Sequence, residues 1–264
     1  MSMQRVQKLF DLGGRSVLVT GGSRGLGLQM ARAMGEAGAS VMLVARKADE
    51  LEQAALALRA DGIDAHWTLA DCAQEEQIGG LVQTALQTLG AVDILINNAG
   101  VGWRAPAQDH PVAAWDKVMN LNVRGYFLLS QLVARRSMIP RAQGRIINVA
   151  SIAGLNGNPP YRQTLAYNTS KSAVIGFTRT LAAEWGRHGI TVNAICPGIF
   201  MTRMASGLAS TLTAEWIAER VPMGRIGDDE DLKGAALLFA SRAGQHITGQ
   251  CLAVDGGMSS VLGV

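Results

Sequence analysis

The sequence is poor in the features that mark secreted, membrane or metal-binding proteins. Its 264 residues include only three cysteines, Cys72, Cys196 and Cys251, and none lies in a CxxC spacing. An odd number of scattered thiols argues against a disulfide framework and a zinc site, and it fits a reducing compartment. No apolar run approaches the roughly 18 residues that span a bilayer, and the opening MSMQRVQKLF lacks the apolar core of a signal peptide. We therefore expect a cytoplasmic protein with no membrane partner.

The sequence also has no large excess of positive or negative charge. The 24 lysines and arginines nearly balance the 21 aspartates and glutamates, for a net charge of +3, and no basic stripe is present. A nucleic-acid partner is therefore disfavoured. The four histidines are isolated, without a second ligand at metal-binding spacing, so we expect no metal site.

Short β-branched runs alternate with longer segments of helical composition along the whole chain. The runs are almost continuously apolar, which is typical of parallel strands covered on both faces. They predict strands at 16–20, 40–45, 65–70, 92–97, 145–150, 190–196 and 251–255, and the segments between them predict helices at 25–37, 48–60, 74–90, 112–138, 166–186 and 228–241. This alternation, with no linker-like tract, predicts an α/β fold: a single Rossmann-like, doubly wound domain over 1–264, with a seven-stranded parallel sheet and helices on both faces.

Two features of the last third interrupt this rhythm. Residues 199–227 form a long insertion before the last helix, and because long excursions from compact domains are often lids or binding loops, we expect a substrate lid there. The acidic run from Asp228 to Asp231 is expected to form the first turn of the last helix.

A glycine-rich turn, VLVTGGSRGLG, joins the first strand to the first long helix. Gly21, Gly25 and Gly27 would let the backbone turn tightly and approach a pyrophosphate at the helix N-terminus. A glycine pattern alone is weak, but here it lies in the strand–turn–helix context that dinucleotide binding requires. Thr20 followed by Gly-x-x-x-Gly-x-Gly resembles the short-chain dehydrogenase/reductase family.

The residues after the second strand favour NADP(H) over NAD(H). An NAD site usually has an acid at the end of that strand, whereas a 2′-phosphate needs a cation. Here Ala45 is followed by Arg46, and Arg24 of the glycine turn is a second cation that can approach the same phosphate. Asp49 and Glu50 are expected in the first turn of the next helix.

The stretch SIAGLNGNPPYRQTLAYNTSK (151–171) carries the candidate chemistry. Tyr167 and Lys171 are four residues apart on a predicted helix and share a face, whereas Tyr161 has no lysine within a turn. A neighbouring ammonium stabilises a phenolate, so Tyr167 is the candidate acid and base for a carbonyl oxygen. Ser151, after the fifth strand, is expected to hydrogen-bond the same oxygen.

The resemblance to the short-chain family covers essentially the whole chain and implies further site residues. It rests on NNAG (97–100), LADC (69–72), NLNVRGYF (120–127) and CPGIFMT (196–202). It implies that Asn122 supports a proton relay beside Ser151, Tyr167 and Lys171. It also implies that the cofactor contacts Gly21, Ser23, Arg24, Gly25, Leu26, Gly27, Arg46, Asp71, Cys72, Asn98, Ala99, Gly100, Tyr167, Lys171, Pro197, Gly198, Ile199 and Thr202.

The carboxyl-terminal stretch VPMGRIGDDEDLKGAALLFASRAGQHITGQCLAVDGG (221–257) is similar to bacterial 3-oxoacyl-carrier-protein reductases and to gluconate 5-dehydrogenases, which leaves the substrate open. The expected activity is NADP(H)-dependent, reversible reduction of a carbonyl, with a 3-oxoacyl thioester, a sugar acid such as 5-ketogluconate or a less restricted ketone as substrate. A cofactor-sensing protein without catalysis is the alternative from another class. The resemblance implies a homotetramer. Ser151 and Tyr167 are sixteen residues apart, longer than is usual in such reductases, and the extra residues fall around Pro159 and Pro160 beside the substrate mouth. For a carrier-bound substrate, Arg162, Arg203 or Arg220 would face the acidic carrier.

Overall fold

All seven predicted strands are present in the computed structural model, which describes residues 2–159, 162–201 and 213–261. They are β1 (Ser16–Thr20), β2 (Ser40–Ala45), β3 (Ala65–Leu69), β4 (Ile94–Asn97), β5 (Gly144–Val149), β6 (Ile190–Pro197) and β7 (Cys251–Val254). They form one sheet in the order β3-β2-β1-β4-β5-β6-β7, and all six strand pairs are parallel. The predicted sheet is therefore confirmed.

Helices connect the strands and cover both faces of the sheet. They are α1 (Ser2–Phe10), α2 (Gly25–Glu36), α3 (Ala48–Ala60), α4 (Glu75–Leu89), α5 (Val112–Met119), α6 (Gly125–Val133), α7 (Leu165–Trp185), α8 (Ala214–Ala218) and α9 (Lys233–Ala240). Val17 and Val19 of β1 pack with α2, α3 and α9, while Leu18 between them packs with α4, α6 and α7. Because successive residues of a strand point to opposite faces, this division places one helical layer on each side.

Strand burial separates the centre of the sheet from its edges. All five residues of β1 and all eight of β6 are buried, as the nearly continuous apolar runs predict. The two edge strands are more exposed, since β3 and β7 each have a neighbour on one side only.

The predicted helix at 112–138 is one continuous rod, but it contains two π-helical turns. These turns span Asn120–Arg124 and Ala134–Met138. A π turn inserts one extra residue into the helical ladder and often occurs at a functional site. The first of them contains Asn122, a residue that the sequence already singles out.

The predicted helix at 228–241 is wrong at its start, because the helix begins at Lys233. Asp231 lies before it and accepts hydrogen bonds of 2.6 Å from both terminal nitrogens of Arg225. Its carboxylate also accepts from the Asp228 backbone N–H at 2.8 Å. The acidic run therefore builds a turn that an arginine closes, rather than the first turn of α9.

Both ends of the insertion at 199–227 are attached to the domain. The Gly227 backbone N–H donates to the Ile199 carbonyl at 3.0 Å, and the Met223 N–H donates to Gly256 at 3.1 Å. Phe200 and Val221 are buried. Thr202 and Arg203 lie outside the described residues, as does Tyr161.

The topology marks one position for a ligand. β1 and β4 are neighbours in the sheet although two strands separate them in sequence, and open parallel sheets bind ligands at the carboxyl ends of such strands. The glycine turn follows β1 and the NNAG motif ends β4 at this point. Of the described helices, none is both long and apolar enough to cross a membrane.

Candidate active site

A large cleft opens at the carboxyl edge of the sheet, with a volume of about 1270 Å³. That is more than a drug-sized ligand fills and leaves room for a dinucleotide together with a small substrate. Most of the predicted site residues line it, namely Gly21, Ser23, Arg24, Gly25, Leu26, Arg46, Asp71, Cys72, Asn98, Ala99, Gly100, Ser151, Tyr167, Lys171, Pro197, Gly198 and Ile199. Gly27 and Asn122 do not line the cleft. They can influence it only through the residues that do.

The glycine turn has the geometry that a bound pyrophosphate needs. Gly21 and Gly25 have φ angles of 63° and 52°, in the left-handed region that favours glycine. At Gly27 a Cβ atom would lie 2.3 Å from the Gly21 carbonyl oxygen, so only glycine allows this close approach. The turn then leads into the N-terminus of α2, where backbone N–H groups favour an anion.

The end of β4 holds this turn in place. The Asn98 amide donates to the carbonyl oxygens of Thr20 and Gly21 at 2.9 and 3.1 Å. The Thr20 hydroxyl in turn accepts from the backbone N–H groups of Asn98 and Ala99 at 2.9 and 3.0 Å. The NNAG motif thus fixes the floor of the cleft on which a dinucleotide would lie.

Two cations flank the end of β2, as the sequence predicts, but each faces a carboxylate. Arg24 donates to both carboxylate oxygens of Glu50 at 2.9 and 2.8 Å. Arg46 lies 3.7 Å from the Asp71 carboxylate. Glu50 is in the first turn of α3, as expected, and folds back to Arg24, a contact that the sequence did not reveal. With the glycine cradle, these guanidinium groups fit the phosphates of NADP.

Because Arg24 is paired with Glu50, we expect Glu50 to compete with the 2′-phosphate of NADPH for this guanidinium group. We expect Glu50→Gln to lower the KM for NADPH by about two- to fivefold, because a partly exposed ion pair is worth up to about 1 kcal/mol. The KM for NADH should change much less, since NADH has no phosphate to recruit Arg24. Parallel titrations of both cofactors provide the measurement, and a higher KM for NADPH in this variant would contradict the competition.

Ser151 and Tyr167 come together at the inner end of the cleft. Ser151 follows β5 and begins a short 3₁₀ turn, where its hydroxyl accepts from the Ala153 N–H at 3.1 Å. Tyr167 lies in the first turn of α7. Burial raises the pKa of Tyr167, while its hydrogen bond with Ser151 and the positive charge of Arg162 lower that pKa; the net result is a rise. The phenol is therefore protonated near neutral pH, which is the form that can donate to a carbonyl oxygen.

Lys171 lies one turn beyond Tyr167 and is buried. Its ammonium donates to the Val149 carbonyl at 2.7 Å and lies 5.6 Å from the centre of the Tyr167 ring. Burial lowers the pKa of Lys171 to about 8. The predicted pair is thus on one helix face, with the Lys171 ammonium beside the Tyr167 ring.

Asn122 occupies the first π turn and is completely buried. Its side chain binds both backbone groups of Val101, with Oδ1 accepting and Nδ2 donating at 2.9 Å each. Nδ2 also donates to the Ser170 hydroxyl at 3.0 Å. Asn122 therefore ties the loop after β4 to α7, close to Lys171.

Three residues beside the substrate mouth were missed by the sequence reasoning. The side chains of Asn158, Thr164 and Asn168 form a hydrogen-bonded cluster with distances of 2.7 to 3.0 Å. Their polarity is ordinary for a loop, and only the structure brings them together.

No group of three or more histidine, cysteine or acidic residues that could hold a metal occurs within the described ranges.

Comparisons with known proteins agree with this geometry. Residues 15–213 match the family model of the short chain dehydrogenases. The chain is 39% identical over 252 residues to a gluconate 5-dehydrogenase of Gluconobacter oxydans, covering 95% of this chain and 97% of the relative. It is also 39% identical to the rhamnolipids biosynthesis 3-oxoacyl-[acyl-carrier-protein] reductase of Pseudomonas aeruginosa, covering 94% and 97%.

A solved structure gives the same result in three dimensions. The gluconate 5-dehydrogenase of Burkholderia cenocepacia, in complex with NADP and tartrate, superimposes with a TM-score of 0.91 at 36% identity, covering 97% of this chain and 100% of that one. The chain belongs to the short chain dehydrogenase family, and it is an NADP(H)-dependent oxidoreductase that interconverts CH–OH and C=O groups.

Proposed function

We propose that Tyr167 is the proton donor and acceptor of this reaction. In reduction its hydroxyl gives a proton to the substrate oxygen, and in oxidation its phenolate takes the proton back. NADPH, when bound along the glycine turn, supplies the hydride. Supporting this role, Tyr167 lines the cleft with Ser151 and is protonated near neutral pH because burial raises its pKa.

We assign the supporting roles to Ser151, Lys171 and Asn122. Ser151 donates to the substrate oxygen and holds it at hydrogen-bonding distance from Tyr167. The Lys171 ammonium stabilises the Tyr167 phenolate from within the same helix face. Asn122 keeps α7 and the loop after β4 in register through Val101 and Ser170, and so supports the proton relay.

The substrate that we propose is a keto sugar acid, of the type that a 5-keto-gluconate reductase uses. One observation carries this choice: the cleft near Tyr167 is bordered by two guanidinium side chains, Arg104 and Arg162, and by the polar Asn158 and Thr164. Carboxylates and hydroxyls suit such a lining better than an acyl chain. The gluconate 5-dehydrogenases among the relatives support the same choice.

A substrate panel tests this proposal. Purified protein is assayed for NADPH oxidation with 5-keto-D-gluconate and with acetoacetyl thioesters of a carrier protein and of a simple thiol. We expect the keto acid to be reduced with a kcat/KM at least ~10-fold above that of either thioester. Preferential reduction of the carrier-bound thioester would instead support the 3-oxoacyl function, which the Pseudomonas reductase represents.

The proposal also covers the oligomeric state, the cellular location and the role of the segment 199–227. We propose a homotetramer, supported by the exposed Leu252 on edge strand β7 and Val261 after it, and light scattering would measure it. We place the protein in the cytoplasm, since Cys72, Cys196 and Cys251 are free thiols. The segment 199–227 is proposed as the substrate lid, with Thr202 contributing to the cofactor site.

A further inference from the structure

Asn158 and Thr164, which lie between Ser151 and Tyr167 and line the cleft, are tied to α7 by side-chain hydrogen bonds. Asn158 donates to the Thr164 hydroxyl at 2.7 Å and to Asn168 Oδ1 at 3.0 Å. Thr164 donates in turn to the same Asn168 oxygen at 2.8 Å. Asn168 belongs to α7, next to Tyr167, so the loop is anchored to the helix that carries the reacting hydroxyl.

A second attachment holds this loop from the opposite side. The Ala105 backbone N–H donates to the Gln163 carbonyl at 3.1 Å, and Ala105 and Thr164 form a parallel bridge. Arg162 lies between the two attachments. Its N–H donates to the Pro159 carbonyl at 2.8 Å, and its own carbonyl accepts from the Asn158 amide at 3.4 Å. The backbone of Arg162 is therefore held in a defined position relative to Tyr167.

Arg162 acts on the reacting end of the cleft. It lines the same cleft as Ser151 and Tyr167. Burial raises the pKa of Tyr167, and after the hydrogen bond of Ser151 the charge of Arg162 is the next influence that lowers it. The other titratable groups near Tyr167 are Lys171 on α7, whose Nζ lies 5.6 Å from the centre of the Tyr167 ring, and the buried Tyr126 on α6, whose ring centre lies 5.5 Å from the same Nζ.

We infer that Arg162 is a specificity-determining residue, which pairs with an anionic group of the substrate and so places the ketone at Tyr167. A carboxylate on the keto acid, or a phosphate on a carrier arm, would satisfy the same guanidinium fork. This inference rests on the proposed function, because it assigns a binding partner within the same cleft.

The pairing has an electrostatic consequence at Tyr167. A bound anion offsets the charge of Arg162, so the influence that lowers the pKa of Tyr167 weakens when an anionic substrate is present. Reduction requires protonated Tyr167. The alkaline fall in kcat should therefore occur at higher pH with an anionic ketone than with a neutral one, and Arg162→Gln should remove this difference.

Matched pairs of substrates test the inference. 5-Keto-D-gluconate is compared with L-sorbose, which has the same ketone and a hydroxymethyl group in place of the carboxylate. Acetoacetyl-4′-phosphopantetheine is compared with acetoacetyl-pantetheine, which lacks the phosphate. In Arg162→Gln we expect KM for the anionic member of one pair to rise about 10- to 100-fold, as for a lost hydrogen bond to a charged group, with its neutral member unchanged. The pair whose anionic member shows the higher KM in Arg162→Gln identifies which anion, carboxylate or phosphate, Arg162 binds.

Two further variants separate recognition from folding. Arg162→Lys should recover part of the KM effect, because it keeps the charge without the fork. Arg187→Gln removes an exposed arginine at the end of α7 and should leave both pairs unchanged. NADPH titration and thermal unfolding identify a variant that is misfolded.

Either of two results overturns the assignment of Arg162. The first is an equal loss on both members of each pair in Arg162→Gln, and the second is an unchanged KM for all four substrates. Wild-type protein that reduces no ketone with NADPH would overturn the proposed function itself, and the assignment with it.

Discussion

Tyr167→Phe is expected to lower kcat for ketone reduction by about 10³-fold, the scale of a lost general acid. The substitution removes the hydroxyl and keeps the buried ring in the first turn of α7, so the fold and the NADPH site should be preserved. Tyr167 belongs to α7, whereas the glycine turn that would hold the phosphates joins β1 to α2. Stopped-flow or steady-state NADPH oxidation gives kcat, and fluorescence titration gives the Kd for NADPH.

Tyr161→Phe is the matched control, because the chain has three tyrosines and Tyr161 lacks a lysine four residues on. This control should retain most of its activity. Tyr167→Phe with wild-type turnover would show that another group moves the proton. Wild-type protein that binds NADPH but reduces no carbonyl in a broad panel would favour the cofactor-sensing alternative.

Lys171→Met carries the second large expected effect, a fall in kcat of about 100-fold or more in both directions. In the proposed mechanism the ammonium stabilises the Tyr167 phenolate, so its removal should raise the pKa of Tyr167 in the working complex. For alcohol oxidation, which needs the phenolate, the acidic limb of the kcat–pH profile should therefore move to higher pH. Profiles of both directions between pH 6 and roughly pH 10 give the measurement.

Stability distinguishes this effect from misfolding. Burial lowers the pKa of Lys171 to about 8 from its ordinary 10.5, so protonation favours the unfolded chain. The resulting destabilisation is complete below pH 8 and disappears as pH rises past 10.5. Lys171→Met should therefore lose activity at pH 7 without a lower Tm. Lys171→Arg, which keeps a charge, should retain more activity; equal loss in both variants would contradict a role for the charge.

The sequence predicted the features that depend on short spacing. The glycine turn, the end of β2 and the Tyr167–Lys171 pair each rest on residues within one or two turns of one another. The seven-stranded parallel sheet was also predicted, because repeated strand–helix–strand units allow few topologies; the order of its strands comes from the structure. Asn122 was predicted from the family resemblance, and the structure adds that a π turn places it against Val101.

The features that were missed depend either on contacts between residues far apart in sequence or on a turn that forms where the composition predicts a helix. Glu50 was placed correctly in α3, but its pairing with Arg24 requires the packing of α3 beside the glycine turn. The acidic run at 228–231 has the composition of a first helical turn. Arg225 instead binds Asp231 and stabilises a turn, so the helix starts later. The cluster formed by Asn158, Thr164 and Asn168 has no spacing signature, because its geometry comes from the folded loop.

The most direct test of the central claim is the transfer of label from [4,4-²H₂]NADPH, deuterated at both C4 positions, to a keto acid. Wild-type protein is incubated with the labelled cofactor and 5-keto-D-gluconate, and the product is examined by mass spectrometry and NMR. We predict a hydroxy acid that carries deuterium at the former carbonyl carbon, formed about 10³-fold more slowly by Tyr167→Phe. Unlabelled product, or labelled product formed equally by both proteins, would contradict hydride transfer with Tyr167 as the acid.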